Sequence, residues 1–455
     1  MNQQQQDDLE IFNAALEITA AEDRAAYLDS VCAGDPALRK KIDSLLVAYE
    51  KGSDTLDELT RKTSRDEAGR VGTDCAPNSV IGRYKLLEKI GEGGFGVVYL
   101  AEQNEPVKRR VALKIIKLGM DTRQVVARFE AERQALAMMD HPNIAKIFDA
   151  GATDSPLTPS LSPTAGEGAR RAREGVATSP AMTAGRPYFV MELVRGVPIT
   201  QYCDENQLSP DERLQLFLQV CQAVQHAHQK GIIHRDLKPS NILVTVNDGV
   251  PVPKVIDFGI AKATQQELTE KTIITQFHHF IGTPAYISPE QAQMTSLDID
   301  TRSDIYSLGV LLYELLTGKT PFDGKELLAS GLDAMRQTIR EQEPPRPSAR
   351  LSTMAEVDRT TTARLRKSEP PQLIHLLGGD LDWIVMKCPE KDRNRRYETA
   401  NGLAADIQRH LSSEPVVARP PSALYRMKKA FRRNKLAFTA GLAIALALLV
   451  GIALS

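Results

Sequence analysis

The sequence offers no way to pair its five cysteines. Cys32, Cys75, Cys203, Cys221 and Cys388 lie far apart and no CxxC occurs. That excludes a disulfide scaffold and a cysteine-rich zinc module, and it fits a reducing compartment. Charge of one sign is also missing: Lys+Arg is 57 and Asp+Glu is 58, a net charge of −1. A protein built around nucleic acid needs a basic excess to neutralise phosphates, so no nucleic-acid partner is expected. No secretory signal opens the chain, because MNQQQQDDLE has neither a basic start nor an apolar run. No internal repeat is visible. What is present suffices for a sizeable core: 42% of residues are hydrophobic and 25% charged, which rules out wholesale disorder. A chain of 455 residues allows about two to four domains.

Residues 1–50 read as a small helical module. Leu9, Phe12, Ala15 and Leu16 recur at helical spacing, and Asp35-Pro36 has the look of a cap followed by proline at the first helical position. So short a segment buries little surface alone, which points to a structural or docking role. Residues 51–80 are polar and read as a linker. From Tyr84 the pattern turns to β: YKLLEKIG, GVVYLAE and RRVALKIIKL, then YFVMELV after residues 152–187. That intervening stretch is rich in Pro, Ser, Thr, Ala and Gly, and is expected to be a disordered insert between two strands. Ser209-Pro210-Asp211-Glu212 is a helix start signal, and the run that follows stops at Gly231. A second helix-rich stretch spans about 302–411, interrupted by a Pro-rich loop (EPPRPSARLS) and a polar stretch to Pro371.

Gly91-Glu92-Gly93-Gly94-Phe95-Gly96-Val97-Val98 fits GxGxxGxV, a glycine hairpin whose N–H groups can approach phosphates without Cβ clashes. A dinucleotide-binding fold fits poorly, because a strand rather than a helix follows the glycines, and no GK[ST] closes a P-loop. Lys114 of Val111-Ala112-Leu113-Lys114 lies on the next strand, where it either snorkels or binds phosphate. A phosphate-binding lysine would need a carboxylate to hold it, and Glu130 and Glu132 lie on the helix-like run that follows. His234-Arg235-Asp236-Leu237-Lys238-Pro239-Ser240-Asn241 supplies an acid, a cation and an amide in one loop, and Asp257-Phe258-Gly259 adds a second carboxylate. Phosphoryl transfer needs this set: a base for the incoming hydroxyl, a cation at the γ-phosphate, and hard oxygens for Mg²⁺.

The ordered set of glycine loop, VALK, HRDLKPSN, DFG and SPE resembles the Hanks-type protein kinases, in the flavour of the membrane-anchored eukaryotic-like serine/threonine kinases of bacteria, over about residues 84–411. The resemblance implies an α+β fold: a bilobal kinase with a small β-rich N-lobe and a large helical C-lobe. It implies ATP and Mg²⁺ (or Mn²⁺) as cofactors, and protein serine and threonine hydroxyls as substrates. Carried over residue by residue, Gly91, Gly93 and Gly96 would cover the phosphates, with Ile90 and Val98 against adenine. Lys114 would bind the α- and β-phosphates and pair with Glu132, chosen because it stands nine residues before His141. Met191 looks like the gatekeeper, and the backbones of Glu192 and Val194 would bond adenine. Asp236 resembles the catalytic base and Lys238 the γ-phosphate contact, while Asn241 and Asp257 would hold the metal. Leu136, His234 and Phe258 should stack as a hydrophobic spine. Ser288 stands where the family usually has Ala. Glu290 would pair with Arg396, Asp304 would anchor the catalytic loop, and Thr283 with Lys238 points to Ser/Thr rather than Tyr specificity.

Arg235 precedes the catalytic aspartate, a position usually neutralised in the family by a phosphate on the activation segment. Autophosphorylation at Thr269, Thr272 or Thr275 would supply it. Leu436 to Leu454 is a 19-residue uncharged run, close to the roughly 20 residues a spanning helix needs. Residues 412–435 read as a basic juxtamembrane linker, with six basic residues from Arg426 to Lys435. The expectation is a single-pass membrane protein in contact with the lipid bilayer, its kinase domain on the cytoplasmic side. The sequence ends at Ser455, as a tail-anchored form or a truncated product would. Relatives often activate as dimers, so the resemblance admits a homodimer. A pseudokinase scaffold would keep the fold and lose a catalytic side chain, but here every catalytic position is filled.

Overall fold

Tyr84 and Leu86 are buried while Lys85 and Leu87 between and after them are half-buried, the start of a strand with one face on a core. The computed structural model describes residues 27–28, 32, 39, 78–93, 96–116, 139–153, 186–258, 284–293, 299–420 and 422–433. The chain divides into two compact units, residues 1–72 with 158–164, and residues 73–157 with 165–455. In the first, Tyr27 and Leu28 are helical, Leu28 and Cys32 are buried, and the Cys32 N–H donates to the Leu28 carbonyl at 2.9 Å. The other residues of the expected N-terminal helical module lie outside the described residues, as do the expected linker but for its last residues, the bulk of the insert and the run 436–454.

The second unit opens with a six-stranded antiparallel sheet: β1 (Val80–Ile81), β2 (Tyr84–Gly93), β3 (Gly96–Gln103), β4 (Arg109–Ile116), β5 (Ile147–Ala152) and β6 (Pro187–Glu192), in the order β1-β2-β3-β4-β6-β5. Tyr84, Leu86, Val97, Tyr99, Val111, Leu113, Ile115 and Val190 fill its buried side. The Pro-, Ser- and Gly-rich insert leaves after β5 and returns at β6. Its two ends meet, because the Thr153 N–H donates to the Arg186 carbonyl at 3.0 Å.

The helical part comprises α1 (Ile199–Glu205), α2 (Pro210–Gln229), α3 (Pro289–Ala292), α4 (Thr301–Thr317), α5 (Gly324–Ala329), α6 (Leu332–Glu341), α7 (Pro347–Thr353), α8 (Glu356–Arg364), α9 (Pro370–Leu376), α10 (Asp382–Lys387), α11 (Ala400–Leu411) and α12 (Ala423–Arg433). Helix α2 starts where the sequence signals it. Ser209 accepts from the Glu212 N–H at 3.4 Å and its own N–H donates to Glu212 Oε2 at 2.7 Å, two of the orphan donors at the helix start. Helix α4 is buried along nearly its whole length and is the central strut of the core. A Cβ on Gly309 would stand 2.2 Å from that of Cys388, so the close approach of α4 to the end of α10 requires glycine there. A small three-stranded sheet pairs β7 (Val197–Pro198), just before α1, with β8 (Ile242–Asn247) and β9 (Val250–Val255), which follow α2.

Two stretches are more regular than their composition suggests. The Pro-rich loop EPPRPSARLS contains α7, because Pro347 occupies a first-turn position whose N–H has no helical partner anyway. Ser348 next to it donates through its N–H to Asp382 Oδ1 at 3.0 Å. The basic stretch 412–435 contains α12, seated on the helical core by Tyr425 and Lys429.

Candidate active site

The hairpin β8–β9 brings the two metal-ligand candidates together. Asn241 precedes β8 and Asp257 follows β9. Ile242 pairs with Val255, and the Ile256 N–H donates to the Asn241 carbonyl at 2.9 Å. Asn241 Nδ2 donates to the Asp236 carbonyl at 2.8 Å and to Asp236 Oδ2 at 3.1 Å, while Lys238 Nζ lies 2.9 Å from the same Oδ2. With its amide nitrogen engaged in the loop, Asn241 has Oδ1 left for a cation. From the sheet above, Lys114 Nζ donates to Asp257 Oδ1; the lysine side chain is largely withdrawn from solvent and the aspartate is partly exposed. Two contact groups result, Lys114 with Asp257 and Asn241 with Asp236 and Lys238, and the paired ends of β8 and β9 bring them together through the Ile256 N–H on the Asn241 carbonyl. Glu132, the expected partner of Lys114, lies outside the described residues.

A buried scaffold fixes this loop. Asp304 on α4 accepts from the N–H groups of His234 and Arg235, both at 2.8 Å, and contacts His228 Nε2 at 2.8 Å. Burial pushes the Asp304 carboxyl up, but these bonds outweigh it and hold it below the usual carboxylate range. His234 is fully buried. Its Nδ1 accepts from the Asp236 N–H at 3.3 Å, so Nε2 carries the proton and donates to the Ile256 carbonyl at 3.1 Å. Burial lowers the His234 pKa and keeps the ring neutral. The His234 and Phe258 rings stack at 4.6 Å, two members of the expected spine; Leu136 lies outside the described residues. Arg235 and Asp257 adopt positive φ, 63° and 60°, at the two bends that carry the catalytic side chains.

The glycines serve two purposes. A Cβ on Gly96 would stand 2.5 Å from the Ile115 carbonyl oxygen, so β3 and β4 can approach only with glycine there. A Cβ on Gly93 would meet nothing within 4 Å, and one on Gly91 only Val98 at 3.9 Å, which leaves the space beside them open to a ligand. Val98 pairs with both Gly91 and Lys114, and Ile90 on β2 is exposed. At the end of β6 the Glu192 N–H donates to the Lys146 carbonyl at 2.8 Å, so this N–H is already engaged. Its carboxylate is held by Lys254 at 2.8 Å. Val194, half-buried, follows in the connection to β7.

The structure also joins Glu290 to Arg396. Two bonds of 2.7 and 2.9 Å link them, and Ser303 Oγ donates to Glu290 Oε1 at 2.7 Å. Burial pushes the Glu290 carboxyl up, yet the guanidinium outweighs it and holds the group below its ordinary value. Ser288, where the family usually has Ala, caps α3 by accepting from the Gln291 N–H at 3.4 Å. Three supporting residues escaped the sequence reading. Gln291 Nε2 donates to the Arg235 carbonyl at 2.8 Å, and the other two are His228 and Lys254. Only Gln291 left a local sign, three residues after the Ser288 cap. Thr269, Thr272, Thr275 and Thr283 lie outside the described residues.

No group of three or more His, Cys, Asp or Glu side chains suited to a metal occurs among the described residues. The donor set instead matches Mg²⁺ held by one carboxylate, one amide oxygen and phosphate oxygens, since Mg²⁺ prefers hard oxygens and shares its shell with substrate phosphates. A strand lysine, a glycine hairpin, an aspartate poised over a lysine and a carboxylate–amide pair define a nucleotide-dependent phosphotransferase site.

The chain belongs to the protein kinase domain family, which it matches over residues 84–406. It is 34% identical over 368 residues to serine/threonine-protein kinase PknB of Mycobacterium tuberculosis, covering 80% of this chain and 48% of that protein. It is 34% identical over 331 residues to serine/threonine-protein kinase PrkC of Bacillus subtilis, covering 72% of this chain and 40% of that protein. The chain thus spans about half the length, or less, of these curated relatives. The solved Mycobacterium tuberculosis PknI kinase domain aligns with 74% of this chain and 100% of its own, at 20% identity and a TM-score of 0.48.

Proposed function

We propose that the chain is an ATP-dependent serine/threonine protein kinase that autophosphorylates and works at a membrane. The observation that carries the activity is the pairing of Lys114 with Asp257 beside the cluster of Asn241, Asp236 and Lys238, the two brought together at one end of the β8–β9 hairpin. A Mg²⁺ ion bound with ATP would neutralise phosphate charge between Asn241 and Asp257. Lys114 orients the α- and β-phosphates from above. Asp236 accepts the proton of a serine or threonine hydroxyl as its oxygen bonds the γ-phosphorus and the bond to the bridging β–γ oxygen breaks. Lys238 faces the charge carried by the transferring group. The names of the matched relatives, and the presence in one sequence of the motifs that carry Lys238 and Thr283, support serine and threonine as acceptors. Autophosphorylation rests on Arg235 and the threonines at 269, 272 and 275, and membrane attachment on the uncharged run 436–454.

γ-Labelled ATP, Mg²⁺ and a generic protein acceptor test the activity. Label should appear on phosphoserine and phosphothreonine, and Asp236→Asn should reduce it by about 10²–10⁴-fold, the usual worth of a general base. Label on phosphotyrosine alone, or none with the wild-type chain, contradicts the assignment.

A further inference from the structure

We propose that α12 is the face through which the helical lobe lies on an anionic lipid surface, and that a buried carboxylate, Asp380, clamps that helix to the lobe. The inference deepens the membrane reading above and rests on it. Asp380 lies in the connection between α9 and α10 and is 6% exposed. Its Oδ2 lies 2.5 Å from Lys429 Nζ and 3.6 Å from His410 Nδ1. Its Oδ1 accepts from Tyr425 OH at 3.0 Å and faces Arg419 at 3.5 Å. Tyr425 OH in turn accepts from the Val416 N–H at 3.0 Å, and the Arg419 guanidinium covers the Tyr425 ring at 4.4 Å. Asp406 on α11 secures the approach to α12 by accepting from the N–H groups of Val417 and Ala418, both at 2.8 Å. A segment whose composition reads as a tether is thereby fixed to the lobe.

Leu424, Arg426, Met427, Phe431 and Arg433 of α12 are exposed. Leu424, Met427 and Phe431 recur at i, i+3 and i+7 and are 76%, 60% and 49% exposed, whereas Tyr425 and Lys429 form the docked flank. The helix contains no acidic residue, and six basic residues run from Arg426 to Lys435. An apolar stripe bordered by cations is the pattern of a helix lying in the headgroup layer of an anionic membrane. The uncharged run begins at Leu436, three residues past the end of α12, so a span there would set α12 at the headgroups. Charge complementarity and this continuity favour lipid over a second copy of the chain.

The test places an environment-sensitive thiol label on the full chain at Met427→Cys in a Cys75→Ser background, Cys32, Cys203, Cys221 and Cys388 being buried. The protein is reconstituted in phosphatidylcholine vesicles with and without phosphatidylserine, and quenching by lipid-borne nitroxide is read. Retention after an alkaline wash, with quenching several-fold stronger when phosphatidylserine is present, supports the proposal. Retention without quenching overturns it while leaving the membrane reading intact, and so does equal quenching in both vesicles. Cross-linking of the label between copies would assign the stripe to a second chain. Loss of the protein in the wash removes the membrane reading and this inference together. In Asp380→Asn the label's anisotropy should fall while quenching persists; unchanged anisotropy overturns the clamp.

Discussion

At the scale of single residues, identical glycines have different duties. Gly96 meets a strand backbone at 2.5 Å, whereas Gly93 meets open space. Gly96→Ala should therefore cost about 1–3 kcal/mol of stability by overpacking β3 against β4. Gly93→Ala should leave the melting temperature unchanged and act only on nucleotide affinity. Thermal denaturation and an ATP titration of the two variants separate these effects; equal loss of stability in both contradicts the assignment. The glycine pattern itself was legible in the sequence, but the reason for each glycine was not, because Ile115 approaches Gly96 only once β3 and β4 have paired. The short motifs were legible because their chemistry is local: Asp236, Lys238 and Asn241 share one loop, and one hairpin carries the chain from Asn241 to Asp257. Asp380 gave no signal, since its partners at 410, 419, 425 and 429 gather only in the folded core.

At the scale of elements, buried charge ties α3 to the segment before α11. Arg396→Leu leaves Glu290 without its partner in the core and should cost about 3–5 kcal/mol, while adding Glu290→Leu should restore part of that loss. Chemical denaturation of the two single variants and the double variant measures the coupling; strict additivity would contradict a direct pair. The catalytic loop adds a pH dependence. The His234 pKa is depressed in the folded state, so the unfolded chain takes up a proton near its ordinary value, about 6.5, that the buried ring refuses. Stability therefore falls as pH drops through about 6.5. Asp304 and Glu290 have depressed carboxyl pKa values, so their contribution is present above the unfolded value of about 4 and is lost as pH falls further. His234→Gln should flatten the upper part of the stability profile and leave the lower part. An unchanged profile near pH 6.5 contradicts a buried neutral ring. Helix α2 was readable from its capping box, because that signal is local. Helix α7 was not, because prolines that start a helix and prolines that end one look alike in composition.

At the scale of the whole molecule, the described fold joins a sheet that supplies one lysine to a loop and a hairpin, β8–β9, that supply the remaining groups and are held by the helical core. The central claim is that Lys114, Asn241 and Asp257 grip one nucleotide and one divalent ion. Calorimetric titration with ATP, with and without Mg²⁺, tests it most directly. Wild-type protein should bind ATP more tightly when Mg²⁺ is present. Asp257→Ala and Asn241→Ala should lose that Mg²⁺ dependence, and Lys114→Ala should bind ATP weakly while still responding to Mg²⁺. ATP affinity that is indifferent to Mg²⁺ in the wild type, or unaltered in all three variants, would contradict the account.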